Sequence, residues 1–303
     1  MARSGEDVSV LLGAGRSGTT LLYKILAMHR RVAYLNNYVQ KLPAWPSLSV
    51  LNRLLHDRPS VKRRAWFLDE GGAYMNSKRI RSQALVPTPF EGEAIYQQAG
   101  VPLTPSPDVR PDPRAAARLR DAFGTMRRCA GGDTIMTKRT ANNRRVPWLA
   151  EAFPKARYIH LVRDGRAVAY SLLRVNWWSE HTLYWAGRTP REMVQAGADE
   201  LDLAARNWVE EMSSIEAGLA TLAPEQVLQM RYENLLAEPE TEVRRALTFI
   251  GVSFDADPAF RALLDGLSLK PRQEPWAQRW TPQQVDRVLR LQGDTLKRWG
   301  YTV

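Results

Sequence analysis

The stretch VLLGAGRSGTT (residues 10–20) commits the chain to a sharp backbone turn between an apolar run and a helix. The run before it, VSVLL (8–12), is short, apolar and partly β-branched, the pattern of a buried strand. The residues after it, TTLLYKILAMHR, put Leu21, Leu22, Ile25, Leu26 and Met28 on a helical period. A glycine loop between such elements turns its N–H groups inward, and the helix N-terminus adds partial positive charge. An anion is therefore expected at Gly15–Thr20.

The same letters fit two nucleotide motifs and satisfy neither. Gly13, Gly15 and Gly18 match G-x-G-x-x-G, which needs an acid about 20 positions on for a ribose hydroxyl, and none occurs from residue 8 to 56. Gly13, Gly18 and Thr20 match G-x-x-x-x-G-K-[ST], but Thr19 replaces the lysine and Arg16 sits inside the loop. That motif also needs a Mg²⁺ carboxylate at the end of a later strand. The clearest later strand, ARYIHLV (156–162), ends on Arg163, and Asp164 reads as the cap of the next helix. Such a loop suits a transferred group less charged than a γ-phosphoryl. Sulfuryl is such a group.

Further along, RVAYL (31–35), DTIMTKR (133–139) and VLQMRY (227–232) read as strands. A helix opens at Asp112 and Pro113 and ends on glycines at 131–132. Others are expected at 146–154, after Asp164, and at 199–222, 239–250 and 282–298, while 40–113 reads as proline-rich loops with short helices. Strands alternating with helices imply a parallel sheet covered on both faces, hence one α/β domain.

The formal charge of +11 points to an anionic partner: nucleic acid, a phosphorylated nucleotide, or an acidic polymer or lipid surface. No apolar run approaches the ~18–20 residues of a membrane span, and the N-terminal apolar segment is short for a secretory signal. Cys129 is the sole cysteine, which excludes an intrachain disulfide. A cytoplasmic protein is expected. No His, Cys, Asp or Glu cluster has metal-ligand spacing, so no metal is expected.

GAGRSGTTLL together with VRDGRAVAYS resembles the sulfotransferases that use 3′-phosphoadenosine 5′-phosphosulfate (PAPS), most of all the branch of bacterial, carbohydrate and tyrosylprotein enzymes. The resemblance implies a P-loop NTPase-like parallel sheet flanked by helices. It implies that Arg16, Ser17, Gly18, Thr19 and Thr20 wrap the 5′-phosphosulfate. Arg163 and Ser171, eight residues apart, correspond to the pair on the 3′-phosphate, and the long Arg163 side chain is expected to reach back toward Ser171, with Arg166 a further candidate. Lys138 corresponds to the lysine that neutralises charge during transfer, and Lys270 or Arg272 to residues that add to the 3′-phosphate site. The resemblance covers essentially the whole chain. It implies one sulfotransferase domain over 1–303, with acceptor-side insertions at about 40–130 and 177–200. A bacterial enzyme acting on a carbohydrate or glycolipid hydroxyl, releasing PAP, is the expectation.

One departure concerns the base. Many relatives carry a glutamate in the second-strand region, where this chain has Asn36 and Asn37, and asparagine cannot take a proton from an alcohol. Glu91 in PTPFEGEAIY is the first candidate, Glu93 the next, and Asp69 or Glu70 follow. Relatives with a histidine base place it where Thr140 stands here. His160 reads as a satisfied core residue, His29 as a favourable charge at a helix C-terminus, and His56 and His181 as remaining candidates. Trp177, Trp178 and Trp185 suggest an aromatic wall for an acceptor, against the alternative of core packing. Two other classes stay open: a PAP-binding protein without turnover, and a basic nucleic-acid-binding protein, which lacks a recognisable reading helix.

Overall fold

The structure, a computed structural model, describes residues 7–67, 85–103, 111–267, 269 and 275–303. Among them, strands β1 (Val8–Leu12), β2 (Val32–Tyr34), β3 (Thr134–Lys138), β4 (Arg157–Val162) and β5 (Val227–Arg231) form one sheet in the order β2-β3-β1-β4-β5. Every pairing is parallel. Helices α1 (Thr19–Met28), α2 (Asn37–Lys41), α3 (Pro59–Trp66), α4 (Glu93–Ala99) and α5 (Pro113–Ala130) precede β3. After β3 come α6 (Val146–Ala152), then, between β4 and β5, α7 (Gly165–Leu172), α8 (Pro190–Gln195) and α9 (Glu200–Leu219). Helices α10 (Tyr232–Ala237), α11 (Pro239–Phe249), α12 (Phe260–Asp265), α13 (Pro275–Arg279) and α14 (Pro282–Arg298) follow β5.

Alternation along the strands assigns the two faces. Leu11 joins Leu22 of α1, Leu235 of α10, Leu247 of α11 and Phe260 of α12 in one cluster. Val10 and Leu12 join Leu119 and Phe123 of α5 and Leu149 of α6 in another. A third cluster packs Val168, Trp208 and Leu296 of α7, α9 and α14 beside Val162. Burial of both faces explains why β1 reads as a near-continuous apolar run.

The helix ends follow the sequence signals. Asp112 Oδ1 accepts from Arg114 N at 3.1 Å and caps α5, which stops at Gly131 in the left-handed region. At the end of α1, the Lys62 ammonium donates to Met28 O at 2.7 Å, a cation at the negative end of a helix. His29 does not supply that charge. It is fully buried, accepts from Arg31 N through Nδ1, and burial pushes its pKa down to about 4. The ring is neutral near pH 7.

The chain places β2 and β3 on one side of β1 before crossing to β4 and β5 on the other. A crevice therefore opens over the C-terminal end of β1. The glycine loop, Lys138 at the end of β3 and Arg163 after β4 all lie at this edge.

His160 in β4 is core, as expected, but it is not satisfied. Neither ring nitrogen has a hydrogen-bond partner among the described residues, and the ring meets Trp299 edge-on at 5.1 Å. Burial pushes its pKa down to about 3. The unfolded chain takes up this proton near pH 6.5. Stability from the neutral ring is therefore complete above that pH and is lost as pH falls toward 3. His160→Leu should flatten part of the decline in melting temperature between pH 7 and pH 5, measured by circular dichroism. A variant whose melting temperature declines as steeply as the parent's would remove His160 as a source.

Candidate active site

The loop between β1 and α1 is shaped by two left-handed residues, Arg16 at φ 70° and Gly18 at φ 87°. A Cβ on Gly18 would lie 2.4 Å from Tyr232 Cδ2, so glycine is required for the loop to close over that ring. Gly15 faces open space. The N–H groups of Thr19 and Thr20 open α1, where helix geometry provides no acceptor, and no acid stands in that turn. Ser17 Oγ is buried with no hydrogen-bond partner among the described residues. An orphaned hydroxyl, inward amides and a helix N-terminus fit an oxyanion group such as phosphosulfate.

Two guanidiniums border this loop. Arg16 Nε donates to Ser171 Oγ at 2.9 Å, and Arg163 Nη1 donates to Arg16 O at 3.3 Å while lying over the Tyr232 ring. The expected reach of Arg163 to Ser171 is thus replaced by Arg16, because the left-handed turn swings Arg16 toward α7. Burial, followed by the charge of Arg163, lowers the pKa of Arg16. Glu233 braces the edge, its Oε1 accepting from Asp164 N and its Oε2 from Tyr301 Oη. Arg166 grips Asp164 in a fork and covers Trp276, so its charge is already engaged.

Lys138 connects the loop to its other neighbour. Its ammonium donates to Thr20 Oγ1 at 3.2 Å and to Glu91 Oε1 at 2.5 Å. Glu91 arrives there by a short antiparallel pairing. Phe90 N donates to Leu35 O at 2.7 Å, Asn36 bridges Pro89, and Asn37 exchanges bonds with Thr88. Gly92 then turns at φ 70° against Leu35, where a Cβ would collide. Asn36 itself is a buried cap: its Oδ1 accepts from Tyr38 N and Val39 N, and its amide donates to Asn52. A segment pinned to the end of β2 therefore brings a carboxylate to the site where the β2 region holds only amides.

Glu93 is brought close but committed elsewhere. It is buried in a two-pronged pair with Arg145 at 2.9 and 3.2 Å and is also ion-paired to Arg139. Glu91 is 39% exposed and touches Arg139 at 3.6 Å. Burial pushes the pKa of His56 down to about 4 and also lowers that of His181, where the charges of Arg144 and Arg139 add to the effect. Asp69, Glu70, Lys270 and Arg272 lie outside the described residues. Trp178 is core, Trp185 packs against the same cluster and Trp177 is 47% exposed, so core packing accounts for two members of the suggested aromatic wall.

Asn143 and Glu211 went unread in the sequence. Asn143 Oδ1 accepts from Gly13 N at 3.2 Å and its Nδ2 donates to Gly13 O at 3.1 Å, clamping the loop where it leaves β1. Its amide also donates to Glu211 Oε2 at 2.6 Å, while Arg144 holds Glu211 Oε1 at 2.9 Å. Glu211 is buried in α9, and that burial raises its pKa. Neither ANNRR nor the pair Glu210–Glu211 marks which residue turns inward; only the helix packing decides it.

Beside Lys138 lies a cavity of about 450 Å³. Thr20, Glu91, Lys138 and Arg139 cluster on its wall, and Tyr23, Ala65, Trp66, Pro89 and Phe90 supply much of the remainder.

A family model described as "Sulfotransferase family" matches residues 10–256. The chain belongs to the sulfotransferase family. The omega-hydroxy-beta-dihydromenaquinone-9 sulfotransferases of Mycobacterium bovis and Mycobacterium tuberculosis are each 26% identical to it over 119 residues, 39% of this chain and 29% of theirs. The match thus spans under a third of the length of these relatives. Sulfotransferase STF9 from Mycobacterium avium superposes with a TM-score of 0.63 at 14% identity, covering 99% of this chain and 79% of that one. The sulfotransferase domain from the curacin biosynthetic pathway gives 0.50 at 16% identity, covering 97% and 98%. At these identities the likeness is one of fold. The glycine loop, Lys138, Arg163 and Ser171 of this sulfotransferase all fall inside the matched family region. No helix among the described residues is long and apolar enough to cross a membrane.

Asn143→Ala would leave both Gly13 groups and one Glu211 oxygen without their partner in a buried place. A loss of about 2–3 kcal/mol in urea unfolding is expected. A loss within about 0.5 kcal/mol, the range of a neutral surface change, would show that the clamp contributes nothing.

Proposed function

We propose that this sulfotransferase uses PAPS as donor and transfers its sulfuryl group to the hydroxyl of a small acceptor held in the cavity beside Lys138. The observation that carries the reading is that one ammonium, Lys138, touches both the anion loop at Thr20 and the carboxylate of Glu91 at the cavity. The relatives named above as sulfotransferases of an omega-hydroxy compound support a hydroxyl as acceptor.

Bound PAPS supplies the sulfuryl group and a phosphate oxygen as leaving group. The N–H groups of Gly15, Arg16, Gly18, Thr19 and Thr20, with the hydroxyls of Ser17, Thr19 and Thr20, hold the 5′ end. Arg163 and Ser171 hold the 3′-phosphate, with Arg16 between the two ends. Lys138 stabilises charge on the bridging oxygen. Glu91 takes the acceptor's proton as the acceptor oxygen bonds to sulfur. The bond from sulfur to the 5′-phosphate breaks, and its electron pair leaves with the phosphate oxygen. Lys138 and Arg139 on either side keep Glu91 oriented for that step.

PAP should raise the melting temperature well above the response to AMP, ADP or ATP, and Arg163→Ala should erase that preference. Equal responses to the four nucleotides would overturn the donor assignment. Glu91→Gln should lower kcat by roughly 10²–10⁴-fold while leaving the response to PAP in place. A variant with full kcat would remove Glu91 as the base.

A further inference from the structure

Resting on this reading, we propose that the acceptor is an apolar alcohol, a hydroxyl carried on a hydrocarbon or aromatic body, and not a saccharide. The argument is a count of what the cavity wall has left to offer. A sugar buries several hydroxyls, and each needs a partner; one left unpaired lowers binding by roughly ten- to a hundredfold. An apolar body needs only surface.

Away from the transfer residues, each polar side chain of the described wall already has a partner within the protein. Tyr23 Oη donates to the carbonyls of Phe90 and Met136, each at 3.3 Å, and accepts from Leu35 N. Trp66 Nε1 donates to Pro87 O at 3.0 Å. Thr88 Oγ1 donates to Val86 O at 2.9 Å. The Lys24 ammonium donates to Trp66 O at 2.6 Å and lies over the Phe67 ring. Aromatic and aliphatic surface therefore makes up most of what the described wall presents to the cavity. Phe90 lines the cavity and is 41% exposed, so an apolar residue stands at the opening as well.

Among the described lining residues, the polar groups nearest the anion loop are Thr20, Glu91, Lys138 and Arg139, which bond to one another. One acceptor hydroxyl fits that cluster. The hydroxyl oxygen bonds to the donor's sulfur, its proton passes to Glu91, and PAP leaves with the electron pair of the broken bond. A volume of about 450 Å³ lies within the usual size of a small-molecule site, roughly 300–1,000 Å³. This revises the expected carbohydrate acceptor toward a lipid-like one.

The test uses the intact protein with PAPS and a series of straight-chain primary alcohols from hexanol to decanol, against glucose, N-acetylglucosamine and octyl glucoside. Sulfated product is measured by mass spectrometry. The alcohols should show kcat/KM rising about three- to fourfold per methylene, the increment of burying one CH₂. The sugars, including the ring hydroxyls of octyl glucoside, should go unmodified. Saccharides used more efficiently than every alcohol, or rates independent of chain length, would overturn the proposal. Decanol binding is also measured calorimetrically without donor. Phe90→Ser at the opening should weaken it several-fold with the melting response to PAP unchanged, and Ala65→Trp, which fills the cavity, should abolish it. If PAP binds and decanol does not, the apolar acceptor is wrong and the donor assignment stands. If decanol binds and PAP does not, the donor assignment fails instead.

Discussion

Like charges crowd the C-terminal end of the sheet, and the site depends on how they are held. Arg16, Lys138, Arg139, Arg144, Arg145 and Arg163 fall within a few turns of the glycine loop. Three carboxylates are interleaved with most of them: Glu91 between Lys138 and Arg139, Glu93 between Arg139 and Arg145, and Glu211 on Arg144. Arg16 is held by the Ser171 hydroxyl, and Arg163 donates to the Arg16 carbonyl while lying over the Tyr232 ring. Positive charge is thus neutralised toward the core and left concentrated over the loop, where an anionic donor gains most from it.

The same arrangement divides labour between two carboxylates only two residues apart. Glu93, with Arg145 wholly buried beside it, is a structural pair whose removal would strand a charge. Glu91, before the turn at Gly92, keeps an exposed edge toward the cavity. The turn separates them because α4 begins at Glu93 and carries it inward, whereas Glu91 still belongs to the extended segment paired with the end of β2. Apolar surface then fills the cavity wall, since the aromatic residues there have spent their polar atoms on nearby carbonyls.

Much of the scaffold was legible from periodicity. The strands at 8–12, 134–138, 157–162 and 227–231 and the helix at 282–298 fall where apolar patterning and caps place them, most plainly β1, whose burial on both faces leaves a near-continuous apolar signature. Less legible was anything that depended on which side of a helix or loop turned inward. His29 looks like a charge at a helix end and is a buried neutral ring; which of the clustered tryptophans turn into the core, as Trp178 does, the letters do not say. The bond from Arg16 to Ser171 went unread because a positive φ at Arg16, which is not a glycine, leaves no mark in the letters.

Sequence alone determined the strand–glycine loop–helix unit, the absence of the lysine and acid that other nucleotide sites need, and the family. These are local properties, set by backbone freedom and by residues near one another in the chain. Tertiary structure decided which carboxylate faces Lys138, what clamps Gly13, and how apolar the neighbouring cavity is. Glu91 lies 47 residues from Lys138, and Asn143 lies 130 from Gly13. Contacts of that separation follow from how the helices pack on the sheet, which no local pattern encodes.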